Sequence, residues 1–137
     1  MSSSPAPRTR ELNPRLLGAY RRTEYRAGAA AVRVGRPSVA VQALLRRHRA
    51  REATFLTAWN PMSRRMPPGW NERMQRSLVQ RLGARAVLRG EGVGRGWREE
   101  HLLVFGPARR GIVLGRLYRQ RAVVVIRPDG RAKLVLL

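Results

Sequence analysis

The 137 residues, 43% of them hydrophobic, suit one hydrophobic core. With no cysteine and only two histidines, a disulfide framework is excluded and a structural zinc site is not supported, so no metal and no cofactor is expected. Against 8 Asp and Glu stand 29 Lys and Arg, a net charge of +21, which makes nucleic acid or a ribosomal surface the expected partner through phosphate contacts and counterion release.

Residues 1–13 open with MSSSPAPRTR, which lacks the apolar core of a secretory signal. They read as a flexible tail, residues 14–137 as a single domain, and the protein as bacterial in type and cytoplasmic. No apolar run approaches the roughly 20 residues of a membrane-spanning helix, so no membrane partner is expected. YRAGAAAVRV, residues 25–34, reads as a first strand, although alanine and glycine are poor strand formers. After Gly35-Arg36-Pro37, Ser38 is placed to cap a helix running to about Arg49, with Val41, Leu44, Leu45 and His48 on one face. Thr54 to Trp59 reads as a short buried strand that Pro61 ends.

From Trp70, the apolar residues Met74, Leu78 and Leu82 recur every four positions, one stripe of an amphipathic helix that Gly83 terminates. Residues 85–91 form the next strand, EGVGRG turns the chain, and residues 97–105 return as another. A helix to Arg119 follows Gly106-Pro107. Its Gly111 and Gly115 each cost about 1 kcal/mol relative to alanine, which implies a close approach to the sheet. AVVVI, residues 122–126, suits a central strand, and RPDGR turns it into KLVLL.

The order β-α-β-α-β-β-α-β-β predicts an α+β fold: a mixed sheet with helices packed mainly on one face. Residues 54–127 supply a ferredoxin-like split βαβ core, extended at the N-terminus by a β-α unit. A doubly wound sheet is disfavoured, because two of the connections are hairpins.

The stretch FLTAWNPMSRRMPPGWNERM, residues 55–74, carries the candidate site. Asn60 precedes Pro61, which holds its backbone away from helix, and Asn71 stands in the first turn of the next helix. Asn60, Ser63, Asn71 and Gln120 are candidate ligand contacts in a cleft walled by Trp59 and Trp70. The same asparagines also suit a purely local task, tying the loop to its own backbone with the tryptophans as core.

The runs AYRRTEY (19–25), FLTAWNP (55–61), WREEHLLV (97–104) and YRQRAV (118–123), with Asn71, resemble the bacterial domain-of-unknown-function family 3293. That pattern has a Thr-Ala-Trp-Asn-Pro loop, an Asn and Leu on the following helix, a Trp-x-Glu strand start and a Gln-x-Ala entering a late strand. The resemblance runs from about Leu16 to the end of the chain. It implies that Asn60, Pro61, Asn71, Trp97, Glu99 and Gln120 belong to the family pattern, and it implies no activity.

Three functions compete. The first is a non-catalytic module that binds RNA or a ribosome through Arg46, Arg47, Arg49 and Arg51 at one helix end, Arg64 and Arg65 in the loop, and Arg73 and Arg76 on the next helix. REEHLLVF lacks the aromatic and glycine pattern of the RNA-recognition fold. The second is a small-molecule-binding or catalytic protein that uses the Trp-Asn-Pro cleft, with Glu99, Glu100 and His101 as acid–base candidates. Along a strand Glu99 and His101 share a face and Glu100 takes the other. The third is an accessory factor that docks on a protein through the edge of the terminal hairpin. Gly92, Gly94 and Gly96 lead into a strand rather than a helix, so they read as a hairpin turn and not as a phosphate loop.

Overall fold

The computed structural model describes residues 13–137, so nearly all of the expected tail lies outside the described residues. Asn13 caps a first helix, α1 (Pro14–Arg22): its side chain accepts from the Leu16 N–H, and Pro14 sits in the first turn, where no N–H is needed. The sequence reading has no helix here. None of its residues is fully buried, and arginine and glycine interrupt the apolar spacing of PRLLGAYRR.

The expected strand over 25–34 is instead a hairpin. β1 (Glu24–Ala27) and β2 (Ala30–Val32) fold back at Gly28, whose φ of 57° lies in the left-handed region. Ser38 caps α2 (Val39–Arg47) by accepting from the Val41 N–H at 3.2 Å. β3 (Ala53–Leu56) is buried throughout and leads through a 3₁₀ turn, Pro61–Ser63, into α3 (Pro68–Leu82). β4 (Val87–Gly94) and β5 (Trp97–Phe105) form a long hairpin. α4 (Ala108–Leu117), β6 (Ala122–Ile126) and β7 (Ala132–Leu136) complete the described chain.

The seven strands make one sheet in the order β2-β1-β4-β5-β3-β6-β7, and every ladder is antiparallel. Alternation along the strands divides the core into two layers. Phe55, Leu103, Phe105, Val124 and Ile126 pack with Tyr25 and with Val41 and Leu45 of α2, and Tyr20 of α1 joins them. On the other side Leu56, Leu102, Val104, Val123 and Val125 pack against Leu78 and Leu82 of α3 and Leu114 of α4. Burying each such aliphatic side chain stabilises by about 1.5–3 kcal/mol.

This overturns the expected architecture. The sheet is not mixed, and the helices do not gather on one face of a ferredoxin-like split βαβ core: α1 and α2 cover one face, α3 and α4 the other. The β1–β2 hairpin adds to β4 and widens the sheet on one side. Beyond β2 the chain crosses to the opposite edge, where Val34 bridges Ala132 and the Ser38 N–H donates to the Gly130 carbonyl at 3.0 Å. The two edges are thereby drawn together, and the sheet curls into a half-barrel around the α2 side.

The edge of the terminal hairpin is partly occupied for the same reason, since the Gly35 N–H donates to the Ala132 carbonyl at 2.8 Å and the Ala132 N–H to the Arg36 carbonyl at 3.1 Å. Among the described residues no helix is long and apolar enough to cross a membrane.

Gly111 and Gly115 let α4 lie against β3 and β6. A Cβ at Gly111 would stand 2.5–2.6 Å from the buried Thr54 side chain, and one at Gly115 2.8 Å from Val123. Helix propensity alone favours alanine at position 111 by about 1 kcal/mol. Overpacking opposes it, and Gly111→Ala is expected to lower stability by about 1–3 kcal/mol in urea unfolding. An unchanged or raised midpoint would contradict the close approach.

Candidate functional site

Beyond β3 the chain leaves the sheet through Thr57, Ala58, Trp59 and Asn60, and a cleft of about 640 Å³ lies there among α1, the 60–68 loop, β5 and the start of β6. Trp59, Asn60, Ser63, Asn71 and Gln120 line it, together with Glu99 and His101. Glu100 does not. Its side chain is exposed on the opposite side of β5, and only its backbone carbonyl takes part, accepting from Thr57 Oγ1 at 2.7 Å. Trp70 is not a wall of the cleft; that role falls to Trp97.

Asn60 organises these groups. Its Nδ2 donates to Glu99 Oε1 at 2.9 Å, and its Oδ1 accepts from the Met66 N–H at 2.9 Å and from Asn71 Nδ2 at 3.0 Å. Asn71 Oδ1 in turn accepts from the Asn60 N–H at 3.0 Å, so the two asparagines are bonded reciprocally. Gln75 Oε1 accepts from the Ala58 N–H, and Gln120 Nε2 donates to the Trp59 carbonyl at 3.0 Å. The asparagines therefore both tie down the loop and reach the acid in the cleft.

Asn60, Met62 and Ser63 all have left-handed backbones, with φ of 48°, 53° and 60°. Such residues cost about 1–3 kcal/mol each unless the surroundings impose them, and they gather at functional sites. Here the surroundings do impose them. Arg119, itself left-handed past the end of α4, accepts from the Met62 N–H at 2.7 Å, and Arg121 Nε donates to the Met62 carbonyl at 3.0 Å.

The sequence reading missed Tyr20, Thr23, Tyr25, Thr57 and Trp97 as cleft residues. The first three lie in AYRRTEY, whose position under the loop depends on the fold. The glycine-rich run is more than the turn that its composition suggests. Gly92 and Gly94 belong to β4, and the turn itself is Arg95-Gly96. A Cβ at Gly92 would meet His101 at 3.0 Å and Thr23 at 3.3 Å, so the bare backbone here lets the His101 ring lie close across it.

Burial pushes the Glu99 carboxyl above the ordinary carboxylate range, and the Asn60 hydrogen bond opposes part of that rise. Burial lowers His101 to about 4, partly offset by its hydrogen bond to the Glu99 carbonyl. Since a carbonyl only accepts, Nδ1 carries the proton and Nε2 of the neutral ring is left an acceptor. Burial also raises the Tyr20 phenol, and the Glu99 charge raises it further. The Trp59 indole N–H is buried without a hydrogen-bond partner among the described residues. Together these place a carboxyl of raised pKa beside a phenol and a neutral imidazole, a set able to accept or return a proton. Among the described residues no group of three or more His, Asp or Glu side chains is placed to hold a metal ion.

The arginines proposed for nucleic acid do not share a face. Arg46 and Arg47 in the last turn of α2 and Arg49 and Arg51 just beyond it lie on one side of the sheet, Arg73 and Arg76 lie on α3 on the other, and all six are exposed. Arg64 and Arg65 are exposed in the loop, and Arg65 also lines the cleft.

Residues 56–123 match a family described as "Protein of unknown function (DUF3293)". The matched span holds the Trp-Asn-Pro loop, Asn71, Trp97, Glu99 and Gln120, and stops short of AYRRTEY. No curated protein and no solved structure matches the chain.

Two opposed pH effects follow. The folded pKa of Glu99 is raised, so its stabilising contribution is present at acid pH and lost as pH rises through that pKa. Glu99→Gln keeps an acceptor for Asn60 without the buried charge. Its thermal midpoint is expected to equal or exceed the native one near pH 8, with the advantage fading toward about pH 4. A variant less stable than the native chain at the higher pH would refute the cost of that charge. The folded pKa of His101 is depressed from 6.5 to about 4, so its contribution is present above 6.5 and lost as pH falls toward 4. His101→Phe is expected to flatten the midpoint-against-pH curve in that window, and an unaltered slope would rule out a buried neutral ring.

Proposed function

Since the chain belongs to the family of proteins of unknown function 3293, whose description carries no activity, we propose from the site itself that it takes a small polar ligand into the Trp-Asn-Pro cleft, with Glu99 as its proton-accepting partner. One observation carries this reading: Glu99 is held by Asn60 inside a cavity of small-molecule size, where burial raises its pKa. The surrounding polarity supports it. Thr23, Thr57, Asn71 and His101 are buried polar residues that line this one cavity, each with a hydrogen bond of its own to the surrounding protein. Glu99 Oε2 and Gln120 Oε1 have no donor among the described residues. The ligand this set fits presents N–H or O–H donors. Whether a reaction follows depends on the ligand. Glu99 is the residue we assign to any proton transfer, while the neutral His101 serves as a hydrogen-bond acceptor.

A ligand-observed NMR screen of small polar metabolites tests this, with Met66→Trp as a blocked control, since Met66 lines the mouth from the loop. Hits are expected to bind Met66→Trp at least about tenfold more weakly than the native chain. Hits that bind both chains alike, or a native chain that binds nothing in the library, would remove the cleft as a site.

A second reading, binding of RNA or a ribosomal surface, draws on the net charge of +21 and on how little of it is neutralised. Among the described residues only Arg26, Arg33, Arg98 and Arg127 lie within ion-pair distance of a carboxylate. The placement of the α2 and α3 arginines on opposite faces favours diffuse attraction over a shaped interface. Electrophoretic shift of an RNA duplex is expected to weaken steeply with salt. A flat salt response would discard this reading.

A further inference from the structure

A second concavity, of about 820 Å³, lies beside the cleft and shares Ala19, Thr23 and Trp97 with it as lining residues. Arg21, Arg22, Arg26, Arg33, Arg36 and Arg95 line it, and Glu24 is its one carboxylate. These residues come from the end of α1, from β1, from the segment after β2 and from the β4–β5 turn, so only the fold brings them together. Two of the arginines are held in place. Glu24 accepts from Arg26 Nε and, at 3.4 Å, from Arg33 Nη2, while Arg33 Nη1 donates to the Arg22 carbonyl at 2.6 Å. Arg21, Arg22, Arg36 and Arg95 have no carboxylate within 4.0 Å among the described residues. Six guanidiniums line this concave surface against Glu24, with Glu91 beyond the lining 3.7 Å from Arg26, an excess of positive charge that favours an anion, and their planar donors match phosphate oxygens.

Trp97 marks where the two concavities meet. Its indole lies against Gly94 on the paired strand, where a Cβ would collide with the ring, and 43% of the residue remains exposed. That leaves an aromatic surface between a basic pocket and a polar cleft.

We infer that the two concavities form one site for a phosphorylated small molecule of about nucleotide size: its phosphate lies on the arginines, and its polar body crosses Trp97 into the cleft. This rests on the cleft reading above and adds the ligand class. The uncharged, donor-bearing body fits the unpaired acceptors Glu99 Oε2 and Gln120 Oε1, which would repel phosphate itself. The arginine pocket takes the charge that the cleft cannot.

Isothermal titration of the native chain with pyrophosphate, inorganic phosphate, the four common ribonucleoside monophosphates and their nucleosides tests the inference. Three variants are compared: Arg36→Gln/Arg95→Gln in the pocket, Arg109→Gln/Arg116→Gln on α4 as a charge-matched control, and Met66→Trp in the cleft. The pocket variant is expected to weaken pyrophosphate by about tenfold and the control by less than about twofold. At least one nucleoside monophosphate is expected to bind about tenfold more tightly than both inorganic phosphate and its own nucleoside, and Met66→Trp should erase that margin over phosphate alone. Equal losses in the two arginine variants would mean a diffuse field and overturn the inference, as would a single-stranded oligouridine binding with equal losses in both. A Met66→Trp effect without a pocket effect would overturn the phosphate assignment and leave the cleft standing. A pocket effect without a Met66→Trp effect would overturn the single site, while the cleft reading would still stand or fall on the metabolite screen.

Discussion

Asn60 is where the loop, the third helix and the fifth strand are held in one arrangement. Its amide oxygen serves Met66 in the loop and Asn71 on α3, and its amide nitrogen serves Glu99 on β5. A neutral hydrogen bond contributes about 0.5–1.5 kcal/mol net, but a bond to a buried carboxylate matters more, because the alternative is a desolvated charge with no donor. The left-handed backbone at Asn60, Met62 and Ser63 is the strain accepted for this geometry, and the 119–121 segment clamps it. The two asparagines tie the loop to α3, and the same Asn60 amide holds the Glu99 carboxyl that lines the cleft.

The cleft itself follows from the curl of the sheet. Residues 34–37 stitch the β2 side to β7, and the face enclosed by that closure is filled by Phe55, Phe105 and α2 at one end. Toward the other end the same strand faces carry Thr57, Glu99, His101 and Gly92 instead of aliphatic side chains. The core stops being apolar where β4 loses its side chains. α1 and the strained loop roof the space that results.

Charge and chemistry are separated in this molecule. The runs that look most basic along the chain, at the end of α2 and on α3, are exposed and lie on opposite faces, where each guanidinium is well solvated. The densest grouping is assembled from residues far apart in sequence and is partly fixed by Glu24. Its exposed ion pairs contribute little to stability, about 0–1 kcal/mol each, so their placement has more bearing on what approaches the surface than on folding.

Several features were legible in the amino-acid order because they rest on local physics. Ser38 as a cap, Gly83 as a helix end, the RPDGR turn and the α4 glycines each depend on residues within a few positions of one another, and the family match rests on several such short motifs. The α2–β7 outline of elements followed from the same signals. The Trp-Asn-Pro loop stood out as a site candidate for the same reason, and alternation alone separated Glu99 and His101 from Glu100. The N-terminal helix and hairpin did not stand out, since α1 has no fully buried residue and β1 and β2 are short and alanine-rich. AVVVI is at odds with a one-faced helix layer, since a strand buried on both sides needs cover on both sides. Only the tertiary structure decided that helices cover both faces, that the edges meet, that Trp97 and not Trp70 borders the cleft, and that six arginines surround a pocket. Each of these is a long-range packing outcome, set by which surfaces the whole chain can bury at once, and no window of sequence contains it.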